Sequence, residues 1–255
     1  MLLAVSIGNS HISFGVLEKG TWIKRWRIQT VHAKTADEYL VVMRTLFEAA
    51  GIAGDAVTSA ILSSVVPPLT GTLSDTMEML AGRRPLVVTA ALDLGLRITT
   101  ENPSEVGADL VANAVAAFHR VKANCIVVDF GTALSFTAVS AAGELRGVAI
   151  APGLTSAVDS LARSTAQLPS VYLAAPPAAI GRNTVHSIQA GIVFGYTGLV
   201  GDIIRRMRAE LGGTATVIAT GGQSQIMAPL LGPDVVLEQW LTLEGLRVIA
   251  ERNHA

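Results

Sequence analysis

The feature that most constrains this chain is a hairpin pattern that occurs twice. Val5-Ser6-Ile7-Gly8-Asn9-Ser10 runs into Ile12-Ser13-Phe14-Gly15-Val16 and a turn at Lys19-Gly20. Val128-Asp129-Phe130-Gly131-Thr132-Ala133 runs into Ser135-Phe136-Thr137-Ala138-Val139 and a turn at Gly143-Glu144. Each copy is a hydrophobic strand, a glycine two residues past a polar residue, a small hydroxyl or amide side chain, and a returning strand. The copies lie about 123 residues apart. That repetition predicts a duplicated α/β fold whose two glycine turns face one cleft, against the plainer alternative that any two hairpins of an α/β protein look alike.

The remaining pattern alternates short β-branched runs with helical spacing. Strands are expected at Leu2 to Ile7, Ile12 to Val16, Trp22 to Ile28, Ala60 to Val66 and Leu86 to Thr89. Further strands are expected at Cys125 to Asp129, Thr137 to Val139, Leu145 to Ile150 and Val217 to Ala219. Thr35 to Ala50 reads as a helix, with Thr35 as N-cap and Glu38 completing a capping box. Leu69 to Ala81, Val106 to Val121, Val185 to Leu211 and Leu243 to Arg252 are the other expected helices, the third interrupted by Gly191, Gly195 and Gly198. A chain of 255 residues accommodates two domains. The boundary is placed near residue 113, giving domains 1–113 and 114–255.

Composition removes several classes of function. Nineteen basic against 20 acidic residues make no cationic field for nucleic acid. The single Cys125 excludes an internal disulfide framework and a thiolate zinc cage, and suits a reducing compartment. No apolar run is expected to reach the roughly 18 residues of a membrane span, and Met1 to Val5 turns polar at Ser6, too early for a signal peptide. A cytoplasmic location is expected. The five histidines show no ligand spacing for zinc, and there is no Gly-x-Ser-x-Gly elbow for a serine hydrolase.

The glycine turns themselves suggest phosphate binding. Glycine in a tight turn lets backbone N–H groups approach a ligand that a side chain would block. Two such turns can cradle nucleotide phosphates, with Asn9, Ser10, Thr132 and Ser135 adding hydrogen bonds. Thr220-Gly221-Gly222, after the last core strand, is a third candidate cradle. Asp109, in Glu105-Val106-Gly107-Ala108-Asp109 at a helix entrance, could take a proton from a substrate hydroxyl. Its alternative is an acidic first-turn residue facing the helix dipole, and residue chemistry alone favours that role. Asp129 ends an apolar strand, where a carboxylate calls for a cation or N–H donors.

These residues, in this order, resemble the type III pantothenate kinases of the acetate kinase/sugar kinase/Hsp70/actin superfamily. The likeness runs nearly end to end: Gly8-Asn9-Ser10, Thr35-Ala36-Asp37-Glu38, Ser63-Ser64-Val65-Val66-Pro67-Pro68 and Asn102-Pro103 before Asp109. It continues through Val128 to Ala133, Ile150-Ala151-Pro152-Gly153, Gly181-Arg182-Asn183-Thr184, Ala219 to Gly222 and Leu243-Glu244-Gly245-Leu246-Arg247. The resemblance implies a duplicated ribonuclease H-like, actin-like ATPase fold and a homodimer whose pantothenate pocket lies at the subunit interface; charge balance and the short apolar runs, separately, lead to the expectation of no nucleic-acid or membrane partner. It implies transfer of the ATP γ-phosphoryl group to the pantothenate 4′-hydroxyl, with Mg2+ and a monovalent cation (K+ or NH4+) as cofactors. Asp109 would be the base, Asp129 the monovalent-cation ligand, and Gly107 and Thr184 pantothenate contacts. Ser6, Gly8, Asn9, Ser10, Gly131, Thr132, Gly221 and Gly222 would hold the nucleotide.

The sequence departs from the family pattern near the chemistry. Ser6 stands where an aspartate is usual, Leu110 where an arginine follows the base, and Thr100 where a tyrosine precedes Asn102-Pro103. Val148 replaces a glycine, Leu134-Ser135 a threonine pair, and His186 a glutamate. Three readings share the fold: a pantothenate kinase with weakened activity, a degenerate paralogue that binds nucleotide or metabolite without turnover, and a kinase for another hydroxylated substrate.

Overall fold

β-branched and aromatic residues form three consecutive strands at the start of the chain, β1 (Leu2–Ile7), β2 (His11–Glu18) and β3 (Thr21–Gln29), paired as an antiparallel meander. β4 (Ser59–Ser64) lies parallel to β1, and β5 (Leu86–Val87) parallel to β4, so the sheet order is β3-β2-β1-β4-β5. Alternation assigns the faces. Leu3, Val5 and Ile7 join Ile12, Phe14 and Leu62 in a core completed by α1 (Ala36–Ala49) and α2 (Pro67–Ala81). α1 begins as expected: Thr35 Oγ1 accepts from the Glu38 N–H, and the Glu38 carboxylate accepts from the Thr35 N–H. Pro67 and Pro68 do not merely end the preceding strand. They open α2, where a missing N–H costs nothing.

The computed structural model describes residues Met1–His254 and falls into two units. The first is Met1–His119 together with the segment from Leu241 onward, and the second is Arg120–Trp240. The first unit also holds β6 (Arg97–Ile98) and α3 (Ala108–Val121), which reaches just past its limit, and α7 (Leu241–Arg252). α7 packs on β1 and β4. Its Gly245 lies against the Ala112 carbonyl of α3, so closely that no Cβ would fit, and Thr242 Oγ1 donates to the buried Asn113 Oδ1 at 2.8 Å. The division therefore differs from a single cut at residue 113, because the closing helix finds its apolar partner surface on the first sheet.

The second unit repeats the plan. β7 (Cys125–Phe130), β8 (Ala133–Val139) and β9 (Glu144–Pro152) form a meander, β10 (Thr216–Thr220) lies parallel to β7, and β11 (Val235–Leu237) parallel to β10. Within this unit the order is β11-β10-β7-β8-β9, the first unit's arrangement over again. Its helices are α4 (Leu154–Ser164), α5 (Thr184–Glu210) and α6 (Ser224–Met227). α5 runs unbroken for 27 residues through Gly191, Gly195 and Gly198, because no neighbour crowds those positions and their backbone stays helical. By length and composition α5 could cross a membrane, contrary to the expectation that no run is long and apolar enough. Its Val193, Val200 and Ile204 are instead part of the second unit's core.

Candidate functional site

The first glycine turn is fixed from two sides. Gly8 N–H donates to the His11 carbonyl at 3.0 Å, closing the β1–β2 connection. From the end of β3, the Thr30 hydroxyl donates to the Gly8 carbonyl at 2.7 Å and the Thr30 N–H to the Ser10 carbonyl at 3.0 Å. A Cβ at position 8 would sit 3.1 Å from the His11 carbonyl oxygen, which is why the turn takes glycine. Asn9 and Ser10 remain exposed at its tip. Ser6, two residues earlier, is nearly buried and pairs in register with Ser13 of β2 and Ser63 of β4. Beside the turn is an open cavity of about 650 Å3 lined by Asn9, Ser10, His11, Arg27 and the strand end Ile28 to Thr30.

Asp109 lies in the first turn of α3. Its Oδ1 accepts from the Leu110 N–H at 2.7 Å, and its own backbone N–H also stabilises the charged form. Desolvation is nevertheless the larger influence, and it pushes the carboxyl above the ordinary aspartate range. A Cβ on Gly107 would come 2.7 Å from Asp109 Oδ1 and 3.3 Å from the Val65 side chain. Glycine there keeps one side of the carboxylate open. A carboxylate of raised basicity at a helix start is chemically able to accept a proton.

In the second unit, Asp129 is the structural counterpart of Ser6: each is the next-to-last residue of its strand, with glycine two positions on. The turn after Asp129 is braced by Gly153, whose N–H donates to the Thr132 carbonyl at 3.1 Å, and by the Ser156 hydroxyl, which donates to the same oxygen at 2.9 Å. Gly221, at φ 90°, abuts both the Asp129 carboxylate and the Phe130 backbone, leaving no room for a side chain. Gln223 N–H donates to the Phe130 carbonyl at 3.2 Å. The Gly131 and Gly221 turns thus both lie beside the Asp129 carboxylate.

Thr184 is exposed at the first residue of α5, whose N-cap Asn183 accepts from the His186 N–H at 2.8 Å. His186 Nδ1 lies 3.3 Å from Asn183 Nδ2, so it belongs to the cap. Gly107 and Asp109 belong to the first unit and Thr184 to the second. On α5, Ile188 is buried, Ile192 partly buried and Phe194 exposed. Apolar side chains at Ile150, Tyr172 and Ile180 are more exposed than any of these three.

The residue that sequence reading passed over is Arg27. It lies in an unremarkable basic stretch, Lys24-Arg25-Trp26-Arg27, and only the pairing of β2 with β3 brings it to the first turn. As for cations, no cluster of three His, Cys, Asp or Glu side chains exists among the described residues. At Asp129 the Phe130 and Thr132 carbonyls already accept hydrogen bonds from Gln223, Gly153 and Ser156, so the carboxylate is the group there that could hold a monovalent ion. The Ser6-to-Ser10 turn offers hydroxyl and amide oxygens but no carboxylate, so Mg2+ there would rest chiefly on nucleotide oxygens.

Comparison with known proteins agrees with this geometry. A model of the type III pantothenate kinase family matches residues 2–206. A type III pantothenate kinase of Anaeromyxobacter dehalogenans (strain 2CP-C) is 46% identical over 253 residues, spanning 99% of this chain and 100% of that protein. That of Myxococcus xanthus (strain DK1622) is 45% identical over 255 residues, spanning both in full. Among solved structures, a Campylobacter jejuni protein described as a Baf family transcriptional activator superposes with a TM-score of 0.62 at 18% identity, covering 99% of this chain and 98% of that one. A Sinorhizobium meliloti protein described as a 2-dehydro-3-deoxygalactonokinase gives 0.56 at 15% identity, covering 98% of each. At such identities the structural likeness speaks for the fold alone, and that fold is the duplicated ribonuclease H-like one.

Proposed function

Because the chain belongs to the type III pantothenate kinase family, we propose that it transfers the γ-phosphoryl group of ATP to the 4′-hydroxyl of pantothenate, the first step of coenzyme A synthesis. The observation that carries the reading is Asp109, a carboxylate of raised basicity beside bare Gly107, in a chain alike over its whole length to pantothenate kinases. As the hydroxyl oxygen bonds to the γ-phosphorus and the bond to the ADP oxygen breaks, Asp109 takes the hydroxyl proton. Little covalent chemistry falls to the protein, so positioning and charge decide the rate. Ser6, Gly8, Asn9 and Ser10, with Gly131, Thr132, Gly221 and Gly222, are the proposed nucleotide contacts. Gly107 and Thr184 are the proposed pantothenate contacts.

Asp129 is the proposed ligand of K+ or NH4+, which together with Mg2+ on the nucleotide would offset phosphate charge. The working form is proposed to be a cytoplasmic homodimer, for which exposed Phe194, Ile150 and Tyr172 offer apolar surface. The degenerate-paralogue reading is not favoured, since identity near 45% extends over the full chain and both Asp109 and Asp129 are present. A coupled assay with ATP, Mg2+, K+ and pantothenate tests the proposal. Turnover dependent on pantothenate is expected, and none above background from folded protein at high concentration would refute it.

A further inference from the structure

Ser6 belongs to a row of side chains that crosses four strands. It pairs with Ser63 of β4 on one side and Ser13 of β2 on the other, and Ser13 pairs with Arg27 of β3. Shared register places all four on one face of the sheet, the face opposite the Leu3, Val5, Phe14 and Leu62 core. Arg27 Nε donates to Ser13 Oγ at 3.4 Å, a long bond that inclines the guanidinium along the row. His11, paired with Gln29, lies diagonal to Arg27 and close enough to feel its charge. Both line the cavity that Asn9 and Ser10 of the glycine turn also line.

The row holds one formal charge, and it is positive. Ser6, Ser13 and Ser63 are neutral, and the Ser63 hydroxyl is buried without a protein partner. β3 is the edge strand, and Arg27 on it is exposed. A guanidinium is permanently charged, offers five donors in a planar fork, and matches a phosphate's paired oxygens. Set beside a turn already shaped for phosphates, it adds side-chain charge to backbone donors.

Resting on the phosphotransferase reading above, we propose that Arg27 is a nucleotide-binding residue whose guanidinium, with Asn9 and Ser10, grips a terminal phosphate of ATP. It supplies fixed positive charge on a strand row that carries no carboxylate. The phosphate is favoured over the pantothenate carboxylate because the cavity is lined by the glycine turn, whereas Asp109 and Gly107 lie on and before a different element, α3.

The test compares Arg27→Gln, Arg27→Lys and a charge control, Lys24→Gln, on the same strand but paired with Val16 of the core face. Binding of ATP and of inorganic pyrophosphate is measured by calorimetry, with and without Mg2+, alongside KM for ATP and for pantothenate and the melting temperature. Arg27→Gln should weaken ATP and pyrophosphate binding roughly ten- to a hundredfold, the range of a charged hydrogen bond. Arg27→Lys should restore part of the loss, Lys24→Gln should stay within about twofold, and KM for pantothenate should hold.

Unchanged ATP and pyrophosphate affinity in folded Arg27→Gln overturns the proposal. So does an equal loss in Lys24→Gln, or a rise confined to the KM for pantothenate. If Arg27→Gln does not fold, Arg27→Lys decides: a point charge in place of the fork should still weaken pyrophosphate severalfold, and no change counts against the proposal. Pyrophosphate binding lost with Arg27, in a wild-type protein that does not phosphorylate pantothenate, would sink the substrate reading alone. Turnover with unaltered nucleotide affinity in the variant would sink this inference alone.

Discussion

Asp109 is held between opposing influences, and burial wins over the Leu110 N–H and its own N–H. The base must be ionised to accept a proton, so kcat/KM should fall as pH drops through a pKa lying above the ordinary aspartate range. A pH–rate profile checks this, and an acid limb at or below the usual value of about 4 would contradict it. Asp109→Asn should lower kcat by about 10²–10⁴ while ATP binding persists. The stability sign is the reverse. A raised folded-state pKa favours the protonated form, so its contribution is present below the unfolded pKa and lost as pH rises through the folded one. At neutral pH the Asn variant should therefore melt no lower than wild type, and a marked drop would mean that Asp109 is chiefly structural.

Ser6 and Leu110 offer the complementary prediction. A hydroxyl cannot replace a carboxylate beside a hard cation, and leucine cannot grip a substrate carboxylate as a guanidinium does. Ser6→Asp combined with Leu110→Arg should raise kcat/KM for pantothenate by ten- to a hundredfold, somewhat less than the full worth of one preorganised group. Steady-state kinetics of the double variant decide it, and an unchanged value would place the rate limit elsewhere.

Among elements, the α3–α7 contact is the most demanding. Gly245 meets the Ala112 carbonyl with no space for a methyl group, so Gly245→Ala must push the helices apart. A loss of about 1–3 kcal/mol is expected by chemical denaturation, despite the better helix propensity of alanine. An unchanged midpoint would contradict so close a contact. The same scale shows what local pattern encodes. The Thr35–Glu38 capping box was legible because both bonds are made within four residues. α4 was not, because Leu154 to Ser164 follows β9 directly after Gly153 and presents only Leu154 and Val158 to the core. Gly191, Gly195 and Gly198 looked like breaks in α5, yet the helix absorbs them since its core-facing side chains hold it in place.

At the scale of the whole molecule, duplication was visible in two hairpins and proved to extend to the strand order of both sheets. The last helix breaks the simple halving: it returns to β1 and β4 and buries Leu243, Leu246 and Ile249. Ending the chain after Trp240 should therefore loosen the first unit selectively. Hydrogen exchange should quicken in β1 and β4 and stay slow in β7 and β10, and uniform quickening in both sheets would refute separate dependence.

The sequence by itself determined the hairpins, the glycine turns and the first helix cap, because each is written in residues adjacent along the chain. Tertiary structure alone decided that the closing helix completes the first unit, and that Arg27 joins Ser13, Ser6 and Ser63 in one row. The physical reason is register. Which side chains stand abreast depends on hydrogen bonds between strands distant in sequence, and a slip of one residue would turn Arg27 to the opposite face.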